Sequence, residues 1–297
     1  MADGYSKDTD QQRTYRAFQS LIAGEDGAID LAQAALLIAS IEYPGLDITH
    51  IQAQLDALAR RVRIMLALPS PDQLPDLPAD VDPLNVLAVM NQVLRSEEGF
   101  HGNPEEYYTP DNSFLNKVLE NHTGIPVTLA LLYIEVGKRV GIRLEGIGLP
   151  YHFMVGYKLP DQMIYLDPYT DSSFLTAQQC LERIRLLAKR RIKIHPRWFE
   201  PVTHRQLLLR LLNNLKKIYI DREDFPHALN ISDFILMLIP DAALELRDRG
   251  HIHLQLKHYG RALHDLNTYL ELSPQSSDRY EILNQIKSIR RFIAMMN

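Results

Sequence analysis

A single cysteine, Cys180, in 297 residues leaves no second thiol for an intrachain disulfide framework, and one reduced thiol suits a reducing compartment. Long apolar runs are missing as well. Residues 1–16 are polar with no apolar signal core, and no later run reaches the roughly 18–20 residues that span a bilayer, so the sequence predicts a cytoplasmic protein without a membrane part. A basic surplus is absent too. With 32 Lys and Arg against 37 Asp and Glu the net charge is -5, which argues against nucleic acid as the main partner. What remains is 46% hydrophobic and 23% charged, an ordinary globular composition over a length sufficient for two domains and a large core.

Residues 14–67 read as helical. Ile29, Leu31, Ala32, Ala35, Leu36 and Ile38 form one amphipathic run, Tyr43-Pro44-Gly45 breaks it, and Ile48, Ile51, Leu55, Leu58, Val62 and Met65 share a face in the next. The polar opening Ala2-Asp3-Gly4 is expected to fray. Five prolines at 69, 71, 75, 78 and 83 predict an extended connector, and Leu84, Leu87, Val89, Met90, Val93 and Leu94 another helix. Residues 99–112, rich in Gly, Pro, Asn and Tyr, read as an irregular loop. Ser113–Glu120 predicts a short helix with Asp111 or Asn112 as its N-cap, and Val127–Val140 a longer one, apolar nearly all round and hence buried.

Past Gly141 the period shifts to two. Strands are expected over 142–149, 151–158 and 163–167, with turns at Pro150 and at Leu159-Pro160-Asp161-Gln162. A second turn centred between Pro160 and Asp161 gives antiparallel partners whose numbers sum to about 321, which sets His152 and Asp167 on one face as diagonal neighbours. That placement serves a catalytic pair and a structural one equally.

From Thr203 onward the chain reads as helical and repeats itself. A shift of 34 places Tyr219 on His253, Phe225 on Tyr259, Ala228 on Ala262, Ile235 on Tyr269 and Pro240 on Pro274, the pattern of tetratricopeptide helix pairs. The repeats run over 206–240 and 241–274, with a closing helix over 276–296. His251, His253, His258 and His264 are read as repeat-surface residues, since 251 and 253 diverge on a helix and no carboxylate or thiolate completes a metal site.

The stretch Gly124-Ile125-Pro126-Val127-Thr128-Leu129-Ala130 reads like the nucleophile helix of a cysteine transferase with proline in place of the cysteine, and His152 and Asp167 supply the other two members of such a site. Proline has no acidic proton and no lone pair to attack with; it fits the first turn of a helix, where its missing N–H is unpaired in any case. Together with Gly102-Asn103, Asn112-Ser113-Phe114-Leu115, Val118-Leu119, Gly141-Ile142, Gly146-Ile147-Gly148, His152-Phe153 and Leu166-Asp167-Pro168, this stretch resembles the transglutaminase-like core of bacterial SirB-type proteins. The run 31–39 with Tyr43-Pro44-Gly45-Leu46-Asp47 resembles the same family's opening.

The resemblance implies an α+β core of transglutaminase or papain shape, with the nucleophile helix packed on a sheet that carries His152 and Asp167, and a nucleophile position, Pro126, that commonly lacks the cysteine. The family usually has glycine before the histidine, where this chain has Tyr151. The expected organisation is a helical N-terminal part of the core over 1–98, the α+β core over 99–200 and an all-α tetratricopeptide-like module over 201–297.

Two functions follow from these features. One is a non-catalytic scaffold or regulator, without cofactor or metal, whose repeats bind a protein or peptide. The other is a hydrolase or amidotransferase in which His152 and Asp167 activate a hydroxyl, Thr128 or Ser113 being available. His101, Asn103, Asn112, Asn116 and Tyr151 are the candidates for a pocket beside that pair. A local basic run, Arg183, Arg185, Lys189, Arg190, Arg191, Lys193 and Arg197, reads as a solvated face joining the two domains, the alternative being contact with an acidic partner or nucleic acid.

Overall fold

Aspartates start the first helices of the computed structural model, which describes residues 3–70, 76–171, 174–188 and 195–296. Helix α1 (Asp3–Ile22) gives way to α2 (Leu31–Glu42), begun by Asp30, whose carboxylate accepts from the Gln33 amide at 2.9 Å. Asp47 caps α3 (Ile48–Met65) in the same way through the His50 amide at 3.0 Å, and Asp82 precedes α4 (Pro83–Asn91). Each cap satisfies an amide that the first helical turn leaves without a partner. The structure corrects the reading of the N-terminal part in two places. Asp3 and Gly4 are helical rather than frayed, and the run is broken between Ile22 and Leu31, where Gly24, Gly27 and the Asp30 cap separate two helices. Ala2, Pro71 and Pro75 lie outside the described residues.

The core continues through β1 (His101–Gly102), α5 (Leu115–Asn121), β2 (Thr123–Gly124) and α6 (Pro126–Val140). The two short strands pair in parallel, Gly102 opposite Gly124, immediately before α6. Helix α6 is buried on most of its surface, and Gly141, at φ +102, ends it with the amides of Gly141 and Ile142 both on the Gly137 carbonyl at 2.9 Å. At this far end Arg63 is itself buried and donates to the carbonyls of Val140 and Pro69, which satisfies backbone groups that the helix terminus leaves over.

Four antiparallel strands follow in the order β3 (Glu145–Leu149), β4 (His152–Lys158), β5 (Met163–Leu166) and β6 (Phe174–Leu175). The β4–β5 partners run from Lys158↔Met163 to Val155↔Leu166, each pair summing to the expected 321. The ladder stops there, so Asp167 sits just past β5, before the turn at 168–171, and the expected register, which would set it opposite Met154, does not extend to it. The first strand starts at Glu145 instead of Ile142 because the chain is still closing the end of α6. On one sheet face Ile147, Leu149, Met154 and Tyr165 pack with Cys180 and Ile184 of α7 (Ala177–Ala188).

The chain forms two compact units, residues 1–211 and 212–297, and the boundary falls within α8 (His204–Asp221). The second unit continues with α9 (Phe225–Leu238), α10 (Ala243–Gln255), α11 (Tyr259–Leu272) and α12 (Arg279–Met296). Its repeat is literal. Helices α9 and α11 begin and end 34 residues apart, Glu223 and Lys257 adopt the same left-handed conformation (φ +57 and +59), and the bonds Asp224 N–H to Tyr219 O and His258 N–H to His253 O are both 2.8 Å. Gly250 has no room for a side chain, since an added Cβ would lie 2.9 Å from Leu266. His253 is buried rather than on the surface: it occupies the seam position that Tyr219 fills one repeat earlier, its Nδ1 is 3.3 Å from His258 Nδ1, and burial pushes its pKa down to about 4.

Candidate functional site

The N-terminus of α6 is closed by its own residues. Pro126 takes the first helical position and is buried. Thr128 is fully buried, and its hydroxyl accepts from the Ile125 amide at 3.1 Å and lies 2.7 Å from the Asn112 carbonyl and 3.0 Å from that of Ile125, to which it can donate. One hydroxyl thus satisfies a helix-start amide and a loop carbonyl together. Gly124 is small for the same reason, because a Cβ there would stand 2.9 Å from Thr128 Oγ1.

His152 and Asp167 come together as the register implies, both buried. His152 Nε2 is 3.0 Å from Asp167 Oδ1, at ion-pair distance but off the line of the ring N–H, so Nε2 has no aligned acceptor. Asp167 is the better-connected partner. Its Oδ1 accepts from the amides of Tyr169 and Thr170 at 3.2 Å each, and its Oδ2 takes a 2.8 Å bond from Arg183, which also pairs with Asp171 at 2.8 Å. Burial raises the Asp167 pKa, yet the nearby His152 imidazole and the bonds from Thr170 and Arg183 outweigh it and hold the carboxyl below the usual range. Arg183, which the sequence places in a solvated basic run, is in the structure a member of this cluster. Lys189, Arg190, Arg191 and Lys193 of that run lie outside the described residues.

The two clusters are joined through Tyr169. Its ring stands edge-on to His152 with centroids 5.9 Å apart, its carbonyl accepts from the Gly102 amide at 3.0 Å, and a Cβ on Gly102 would meet the ring at 2.4 Å. Gly102 in turn pairs with Gly124, two residues before Pro126. Tyr107 continues the aromatic contact from Tyr169 at 6.2 Å, and burial raises the pKa of both phenols.

The remaining candidates divide. Asn112 is buried and ties the loop together, donating to the Glu106 carbonyl at 2.7 Å and accepting from Asn103 at 3.5 Å and Thr123 at 3.4 Å. It is therefore not the side-chain cap expected before Phe114; Phe114 itself takes the N-cap position of α5 and supplies no side-chain bond. Ser113 Oγ and Asn116 Oδ1 are buried with no hydrogen-bond partner among the described residues. His101 is exposed and its Nδ1 lies 2.6 Å from the Gly99 carbonyl, while Tyr151 is half exposed in the β3–β4 turn. A cavity of about 380 Å³ at the sheet edge is lined by 162–165 and 174–177 and reaches none of these candidates. Cys180 is fully buried on the α7 side, and burial, partly offset by Arg183, pushes its thiol up to about 12, so it is protonated and unreactive at neutral pH. No group of three or more His, Cys, Asp or Glu among the described residues is arranged to hold a metal ion, and no helix among them is long and apolar enough to cross a membrane.

Compared with known proteins, residues 49–213 match the family model described as transglutaminase-like superfamily, and residues 215–287 the one described as tetratricopeptide repeat. The chain is 35% identical over 266 residues to a UPF0162 protein of Xylella fastidiosa (strain 9a5c), covering 87% of this chain and 89% of that one. It is 29% identical over 195 residues to a UPF0162 protein of Vibrio cholerae, covering 65% and 72%. A shorter likeness, 32% identity over 103 residues, relates 32% of this chain to 16% of F-box only protein 21 of Homo sapiens. No solved structure matches the chain.

Proposed function

Because the chain belongs to the transglutaminase-like superfamily yet holds proline where its resemblance to SirB-type proteins reserves the nucleophile, we propose that it is a non-catalytic, cytoplasmic scaffold or regulator whose tetratricopeptide helices bind a protein or peptide. The observation that supports this most directly is the state of the α6 N-terminus. A ring without a transferable proton sits at its first position, and the nearest hydroxyl in sequence, Thr128, is buried and bonded to backbone. His152 and Asp167 are read as a structural pair, the carboxylate being held by Arg183 and two amides. A buried charge needs such partners whether or not it takes part in chemistry.

Incubating the purified protein with an amine donor plus a glutamine-containing peptide, and separately with ester probes, tests the proposal. The expected result is no turnover that responds to His152→Ala. Trapping an acylated side chain within residues 99–200 overturns it.

A further inference from the structure

The second unit contains a cavity of about 560 Å³ between the start of α10 and the turn joining α11 to α12, lined among others by Leu244, Arg247, Tyr269, Gln275, Ser277 and Asp278. We propose that this cavity seats a lysine or arginine side chain of a bound peptide, its aliphatic stem along Leu244 and its cationic head on Asp278. The inference rests on the reading that the helical repeats bind a peptide, and adds which chemistry they select.

Charge balance decides between a cationic and an anionic guest. Arg247 does not face the cavity as a spare cation: it bonds Asp278 at 2.8 Å and Asp248 at 3.2 Å. Asp248 also pairs with Lys216 at 3.1 Å, and Lys216 pairs with Glu245. This connected chain contains two cations, Lys216 and Arg247, and three anions, Glu245, Asp248 and Asp278, leaving one negative charge over. Glu245 is buried, whereas the Asp278 side chain keeps 22% of its surface in solvent at the cavity. The Asp278 carboxylate is pre-set as an acceptor, since the Tyr269 hydroxyl donates to it at 2.6 Å and, with Arg247, holds its pKa down to about 2. An incoming carboxylate would have to displace Asp278 from Arg247 against this arrangement, while an incoming cation adds to it.

The apolar wall fits the same guest. Leu244 is 62% exposed at the rim, and a lysine or arginine stem covers such surface while its head stays polar. Gln275 and Ser277 add oxygen acceptors beside the carboxylate.

The experiment uses the full chain, ¹⁵N-labelled, titrated by NMR with the acetylated, amidated pentapeptide Gly-Leu-Lys-Leu-Gly and with its counterpart carrying Glu in place of Lys. The lysine peptide should shift the amides of Leu244, Gln275 and Ser277 in a salt-sensitive manner, and the glutamate peptide should bind at least about tenfold more weakly. Asp278→Asn, which keeps an acceptor for the Tyr269 hydroxyl and so preserves the turn, should lower lysine-peptide affinity about tenfold, and Leu244→Ala should lower it severalfold. Equal binding of the two peptides, tighter binding of the glutamate peptide, or shifts confined to other residues each overturn the proposal. Lysine-peptide shifts elsewhere on α8–α12 would remove this cavity while leaving the broader binding role standing, and turnover sensitive to His152→Ala would remove the non-catalytic reading without moving the titration.

Discussion

Tyr151 holds a backbone conformation, φ +65, that an L side chain adopts at a cost of roughly 1–2 kcal/mol. With Pro150 it forms the two-residue β3–β4 turn, and Leu149 pairs with His152 across it. Glycine carries no such penalty there, so Tyr151→Gly should raise the unfolding free energy by about 1 kcal/mol in urea titration. A loss of stability instead would mean that the ring's contacts outweigh the backbone strain. Asp167 sets a second expectation, with the opposite sign and a pH signature. Its carboxyl is held low when folded, so its contribution is complete above the unfolded value of about 3.9 and is lost as pH falls through the folded value. Asp167→Asn should cost about 3 kcal/mol at pH 7, because Arg183 and His152 lose a buried partner, and the gap to the parent protein should narrow in acid, below the unfolded carboxylate value of about 3.9. Urea titrations at pH 7 and in acid read this, and a gap that does not change with pH would show that Asp167 acts by shape alone.

Elements in this fold are locked by single polar groups, which makes them sensitive in a directed way. Thr128→Val keeps the volume of the side chain but takes the shared hydroxyl from the Asn112 carbonyl and the Ile125 amide, which keep only their direct 3.1 Å bond to each other. The cost should be about 1–3 kcal/mol, seen as a lower urea midpoint with an unchanged slope. Between α8 and α10 the lock is an ion pair: Lys216 and Glu245 are both buried, and Glu245 also accepts from the buried Ser232 hydroxyl of α9. Lys216→Met alone strands a buried carboxylate and should cost about 3–5 kcal/mol, whereas Lys216→Met with Glu245→Leu should recover most of it. A double variant as unstable as the single one would refute the pairing. These locks also explain what could be read in advance. The 34-residue period was visible because each repeat buries the same positions against the same neighbours, and the 321 register because a two-residue turn at Pro160-Asp161 leaves one alignment of the flanking strands. Arg183 was not, because its carboxylates stand 12 and 16 residues earlier and only the return of α7 onto the sheet brings it to them. Strands β1, β2 and β6 span two residues each, too few to show any period, and His253 looked like a surface histidine until the seam position it shares with Tyr219 was visible.

For the whole molecule, the open question is where one folding unit ends, since contacts divide the chain at 211/212 while the α8 helix runs unbroken from His204 to Asp221. Expected limits at 200/201 follow the start of that helix, and the family matches meet inside it, at 213 and 215. The helix start has its own closure: Thr203 and Gln206 bond reciprocally, Gln206 Oε1 accepting from the Thr203 amide at 2.9 Å and Thr203 Oγ1 from the Gln206 amide at 3.2 Å. Asp26 adds a remote cap, accepting from the amides of His204 at 2.7 Å and Arg205 at 3.0 Å. A fragment of residues 203–297 keeps the reciprocal cap; it loses Asp26, the Ile29 carbonyl beside His204 and the Ile22 and Gly24 carbonyls that Arg205 bonds, and the exposed groups turn to water. A fragment of residues 212–297 opens in mid-helix, with no cap and without the buried Leu207, Leu208 and Leu211. One helix cap alone is worth about 1 kcal/mol, which moves the melting point of a domain this size by about 4–8 °C. The longer fragment should therefore melt cooperatively by circular dichroism, and the shorter one at least about 5 °C lower or without a sharp transition. Equal melting points would place the folding boundary at 211/212 and reduce the first two turns of α8 to a connector.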